Sequence, residues 1–105
     1  MKYKIIRTDT ADALIHNIIL NIADKFGADV ALEKLDKLEA DIRRLSDNPR
    51  LGEEPRYPFL RRQGYRALIL DKDIVFYKID DEHKLITIYA VFDQRQDYIN
   101  IMRGL

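Results

Sequence analysis

The apolar residues of this 105-residue chain repeat on a helical period as far as Asn48-Pro49 and on a period of two from Tyr65 onward. That switch restricts the fold more than any other feature, because each period commits its segment to one kind of buried face. In the first half, Leu14, Ile18 and Ile22 fall four residues apart, and Ile15, Ile19 and Phe26 widen the stripe. Thr8, Asp9 or Thr10 can cap this helix and Gly27 can stop it, which predicts a broad, well-buried face. Asp29 is the candidate cap of a second helix, in which Ala31, Leu35, Leu38, Ile42 and Leu45 recur until Asn48-Pro49 ends it. Two apolar stripes joined by so short a turn predict a helical hairpin.

The remaining segments read as strands. Tyr3–Arg7 is a short β-former run ahead of the first helix, and Tyr65–Leu70, Ile74–Ile79 and Leu85–Phe92 are separated by polar clusters of hairpin length. These last three form an antiparallel meander. Ile86, Ile88, Ala90 and Phe92 share one face by alternation, which is the face expected under the helices, while Thr87 and Tyr89 place hydroxyls on the other. An extra edge strand is expected near Tyr57–Arg61. Tyr98, Ile99, Ile101 and Met102 suggest one or two closing helical turns. The result is an α+β chain in β-α-α-β-β-β order, one helical layer on a small antiparallel sheet. At this length it is expected to be a single domain over residues 1–105, and no repeat or Pro/Gly linker divides it.

Counting removes most catalytic chemistries. There is no cysteine, one serine (Ser46) and two histidines (His16 and His83), so the parts of a nucleophilic triad are missing. The Asp80-Asp81-Glu82-His83 run sits where a hairpin turn belongs and reads as turn chemistry; no metal site and no cofactor are assigned. His16 reads as a boundary side chain. The most apolar stretch, around Leu14 to Ile22, is interrupted by His16, Asn17 and Asn21, and no secretory apolar core is visible, so no membrane is expected and the cytoplasm is the default compartment.

Eighteen basic residues balance eighteen acidic ones, so any attraction for polyanions must be local. Five of the ten arginines (Arg50, Arg56, Arg61, Arg62 and Arg66) lie between positions 50 and 66, a stretch without lysine. The guanidinium fork suits phosphate or carboxylate, so this is either a patch for an anionic partner or an ordinary solvated edge. Arg95, three residues before Tyr98, joins it only if the end of the last strand lies nearby.

Three stretches carry a family resemblance: Gly64-Tyr65-Arg66-Ala67-Leu68-Ile69-Leu70, Ile74-Val75-Phe76-Tyr77-Lys78-Ile79-Asp80, and Ile88 through Tyr98 with its Arg95-x-Asp97-Tyr98 ending. Leu45 to Gly52 adds a Leu-x-x-x-Pro-x-x-Gly exit from the second helix. In this order, and over nearly the whole chain, they resemble the RelE/ParE toxins of bacterial type II toxin–antitoxin pairs. The resemblance implies a toxin that arrests growth and is neutralised by a cognate antitoxin.

That family works in two ways. RelE-like members cleave mRNA on the ribosome without metal; here Arg66, Arg95, Tyr98 and Tyr77 would be the catalytic groups. Yet Ile74 stands where that branch commonly carries an arginine, and Asp93 where it often carries a histidine. ParE-like members poison DNA gyrase through protein contacts and need no catalytic set. The neutral charge and the Tyr65-Arg66 and Val75-Phe76-Tyr77 wording favour this branch. A non-toxic binding module is the third reading. Whether the chain is an enzyme therefore stays open, and in every case Arg61, Arg62, Arg66 and Arg95 are the expected antitoxin- or target-binding residues.

Overall fold

A computed structural model describes residues 2–105. Strand β1 (Lys4–Arg7) leads into helix α1 (Asp9–Phe26), α2 (Ala28–Arg43), two single 3-10 turns (Arg44–Ser46 and Pro49–Leu51), α3 (Pro58–Arg62), β2 (Arg66–Ile69), β3 (Asp73–Asp80), β4 (Leu85–Asp93) and α4 (Ile99–Arg103). Among the described residues no helix is long and apolar enough to cross a membrane.

The hairpin forms for local reasons. The Thr8 hydroxyl accepts a hydrogen bond from the Ala11 amide at 3.1 Å, and Asp9 and Asp12 place negative charge against the positive end of α1. Gly27 ends α1 at φ +94° and donates to the Ala23 carbonyl at 2.9 Å. It also stands at the N-cap of α2, so the turn is a single residue, and Asp29 lies inside the first turn instead of capping it.

The sheet order is β1-β4-β3-β2. The three C-terminal strands are the expected antiparallel meander, whereas β1 joins β4 in parallel, so the sheet is mixed. The hairpin lies on one face, where Ala11, Ile15, Leu38, Ile42 and Leu45 meet Leu68, Val75, Tyr77, Ile86, Ile88 and Val91. Of the stripe expected to be well buried on α1, only Ile15 is: Leu14, Ile18, Ile19 and Ile22 are half-buried, and at the tip Phe26 is 67% exposed. A carboxylate secures the contact, since Asp73 is 3% exposed and paired with Lys34 of α2.

Two further expectations are corrected. The register steps between Phe76↔Ala90 and Tyr77↔Ile88, leaving Tyr89 as an unpaired bulge residue. A bulge inverts the alternation beyond it. Ile86 and Ile88 therefore face the helices together with Val91, while Ala90 and Phe92 turn to the opposite side. The segment near Tyr57–Arg61 is helix α3 and not an edge strand, because Pro58 presets the first helical turn and Leu60 is fully buried against the second cluster. The partner of β2 is instead Glu53, whose amide and carbonyl bond those of Ala67 at 2.9 and 2.8 Å. Leu60 of α3 and Met102 of α4 pack on the outer sheet face with Tyr65, Phe76 and Phe92.

Gly27 has open space where a Cβ would stand, so only its positive φ constrains it. Gly27→Ala is expected to destabilise the fold by about 1 kcal/mol, measured by urea denaturation, through backbone strain alone.

Candidate functional site: the arginine-rich segment and its anchor

The arginine-rich segment leaves α2 through the two 3-10 turns and is fixed by one side chain of the central sheet. Tyr77 on β3 is fully buried; its hydroxyl donates to the Pro49 carbonyl at 2.7 Å and accepts from the Gly52 amide at 3.0 Å. A Cβ on Gly52 would lie 2.6 Å from that hydroxyl and 2.8 Å from the Ala67 carbonyl. The Pro-x-x-Gly spacing therefore has a physical cause: proline bends the chain, and only glycine lets it pass this close to Tyr77.

The guanidinium groups follow from this anchor. Arg66, directly across from Tyr77 on β2, donates to the Gly52 and Arg50 carbonyls. Arg61 donates to the Pro55 and Arg56 carbonyls at 2.8 and 3.1 Å. Arg50 reaches Asp81 of the β3–β4 turn at 2.7 and 3.4 Å, and with the Tyr3 hydroxyl it holds that carboxyl down at about 2. Arg50, Arg61 and Arg66 line one groove of about 220 Å³, so a basic patch exists. Each member already serves a main-chain carbonyl or a carboxylate of the fold. Arg62 is exposed.

Arg95 does not join them. Asp93 pairs with Asp73 and Arg66 with Tyr77, so the two sites lie four residues apart along β3, roughly 13 Å, and on different flanks of that strand. Arg95 is instead clasped by Asp93 at 2.9 and 3.1 Å, beside Lys34 and Phe26 of the hairpin. Its guanidinium is the chief cause that holds Asp93 down at about 2.

Tyr98 stacks on Phe92 with ring centroids 5.6 Å apart, and burial raises its pKa above the usual phenol value, so it stays protonated at neutral pH. It borders a groove of about 490 Å³ that also holds Glu53, Glu54 and Arg56, a mixed lining unsuited to a bare phosphate backbone. Tyr77, expected as a catalytic group, is buried with its hydroxyl bonded to two main-chain groups. Arg66 and Tyr77 meet at Gly52, whereas Arg95 lies at the other end of β3.

Asp80, Glu82 and His83 approach within 4.8 Å of one another in the exposed β3–β4 turn. Asp80 accepts from the His83 amide at 3.2 Å and meets its ring Nδ1 at 2.7 Å, a bond that lowers its pKa and closes the turn. The roles of Pro49, Gly52 and Asp81 escape a reading of the sequence, although the Pro-x-x-Gly spacing was a visible signal for the first two.

A strand, a one-residue helical hairpin and a bulged meander with an anchored basic exit loop define a class of small α+β proteins. Solved structures share it, two of them as follows. A chain from the "chromosomal ParDE TA system from P. aeruginosa" superposes with TM-score 0.73 at 18% identity, over 88% of this chain and 96% of that one. A chain of the toxin–antitoxin complex RelBE2 from Mycobacterium tuberculosis gives 0.60 at 23% identity, over 90% of this chain and 100% of that one. A search of curated proteins finds no match. The family model described as "ParE toxin of type II toxin-antitoxin system, parDE" matches residues 5–98. The chain belongs to this family.

Tyr77→Phe loses both hydroxyl bonds and strands the Gly52 amide, and is expected to cost about 1–3 kcal/mol in urea denaturation; Gly52→Ala is expected to cost at least as much. Asp93 titrates below its ordinary range, so its stabilising contribution is complete above about pH 4 and is lost as pH falls through about 2. Arg95→Gln is expected to move the Asp93 titration, followed by NMR, back toward the ordinary aspartate value.

Proposed function

We propose that this chain is the toxin of a parDE-type pair, arrests growth by protein contact with DNA gyrase, and is neutralised by a cognate antitoxin. The family match supports the class of protein. The observation that carries the choice of target is the engagement of the candidate acid–base groups within the fold itself. Phosphodiester cleavage without metal needs a proton shuttle and cations converging on the scissile phosphate. Here the Tyr77 hydroxyl is bonded to the main chain, Arg66 to carbonyls, and Arg95 to Asp93 at the far end of β3. Ile74 and Asp93 occupy two places where nuclease relatives commonly carry arginine and histidine. Poisoning through contacts needs only a stable surface, which this arrangement supplies, and no cofactor. The antitoxin reading rests on the family and on the basic groove of Arg50, Arg61 and Arg66, with the exposed Arg62 beside Arg61 in α3. Charge in such a groove steers association and fixes register.

Purified protein is expected to inhibit gyrase supercoiling or trap cleaved DNA, and to leave mRNA intact in primer extension from induced cells. Untouched supercoiling together with cleaved transcripts would reject the gyrase reading in favour of ribosome-dependent cleavage.

A further inference from the structure

We propose that the groove lined by Tyr57 and Tyr98 on the outer sheet face is a docking site for an arginine side chain presented by a partner protein. The groove, of about 490 Å³, has apolar residues of the sheet as its floor, among them Phe76 of β3 and Ile69 of β2, which is 48% exposed. Its aromatic walls come from the residues that precede the two short helices, Tyr57 before α3 and Tyr98 before α4. Burial is the main cause that raises the Tyr98 pKa; the Tyr57 phenol raises it further and the Arg56 guanidinium lowers it, so both groups act on the Tyr98 hydroxyl at short range.

One guanidinium is already accommodated there. Arg56 lines the groove and sits over the Tyr57 ring, 5.5 Å from its centroid. On the same α3 segment Arg103 covers Phe59 at 5.1 Å, so guanidinium on an aromatic face is the recurring contact of this side of the molecule. The face of an aromatic ring is electronegative, and a guanidinium is weakly hydrated enough to leave water for it, whereas a carboxylate or phosphate is repelled.

Charge selects the occupant. Glu53 and Glu54 line the groove and are exposed, and among the described residues neither is held in an ion pair. Arg56 is the only cation in the lining, so two carboxylates face one guanidinium. Glu54 also borders the groove of Arg50, Arg61 and Arg66, and thus stands between a basic groove and an acidic one. An incoming arginine would lay its aliphatic stem on the apolar floor and turn its planar fork to a carboxylate. A lysine would forgo the stacking and the bidentate bond, and an RNA strand would set its phosphates against the two glutamates. The inference concerns the groove alone and does not depend on whether gyrase is the target.

The test uses the full chain, isotope-labelled for NMR, titrated with capped Gly-Arg-Gly and with capped Gly-citrulline-Gly, which has nearly the same shape without the charge. The arginine peptide is expected to shift the ring signals of Tyr57 and Tyr98 and to bind about fivefold more tightly than the citrulline peptide. Substituting Glu53→Gln and Glu54→Gln together is expected to reduce that preference to about twofold or less, and Arg56→Gln, which removes the resident guanidinium, to tighten the arginine peptide about threefold. Should the double variant lose its native spectrum, Arg56→Gln alone decides. The proposal is overturned by absence of binding, by equal affinity for the two peptides, by a preference that neither substitution alters, or by shifts confined to residues outside the groove. A short single-stranded RNA that shifts the same rings and displaces the peptide would overturn it in favour of nucleic acid. A free protein of doubled mass, whose Tyr57 and Tyr98 signals change on dilution, would overturn it in favour of a second copy as the occupant.

Discussion

The phenol of Tyr77 is the hinge of the architecture. It reaches from the middle of the sheet, through the core, to the main chain of Pro49 and Gly52, and so joins the exit of the helical layer to the central strand. The main chain around Gly52 is fixed by that junction, and beside it lie the Glu53 bridge to Ala67, the span of Arg66 to the Gly52 carbonyl, and the approach of Arg50 to Asp81. A buried hydroxyl that both donates and accepts is stable only while both partners remain, so the anchor is effectively all-or-none. Residues that look chemical in the sequence thus serve the fold.

The period switch made the architecture legible. The four-residue spacing stands in the structure as a hairpin with Gly27 as its turn, and Leu38 and Ile42 are buried as expected, but in α1 the buried residues are Ala11 and Ile15 while Leu14, Ile18 and Ile22 are half-buried. Three features escaped because they depend on partners distant in sequence. The bulge at Tyr89 exists only in the pairing of β3 with β4, so the alternation of Ile86 through Phe92 gave no sign of it. Tyr57–Arg61 carries β-formers, but Pro58 and the burial of Leu60 make it a helix. The parallel seating of β1 depends on where the hairpin returns the chain.

The candidate site was less legible than the fold. Clustering of arginines between 50 and 66 correctly brought Arg50, Arg61 and Arg66 to one groove. It could not show that Arg61 and Arg66 donate to main-chain carbonyls and Arg50 to the Asp81 carboxylate. The condition on which Arg95 would join them fails for a reason of register: the end of β4 lies beside Asp73, at the opposite end of β3 from the turn that Arg50 holds. A sequence counts charges, whereas the function of a charge depends on what already satisfies it.

The proposal of action by surface contact rests on the engagement of Arg66, Arg95 and Tyr77 in hydrogen bonds of the fold. That claim is tested most directly by growth arrest measured per folded molecule for Arg66→Gln, Arg95→Gln, Tyr77→Phe and Tyr98→Phe, each induced at a temperature where its far-UV and NMR spectra are native. The account predicts arrest equal to that of the unsubstituted chain whenever the variant is folded, with losses that track stability alone. A variant of native fold and unchanged Tm that no longer arrests growth, together with transcripts that the unsubstituted chain cleaves and the variant spares, would contradict it and would restore a chemical role to that side chain.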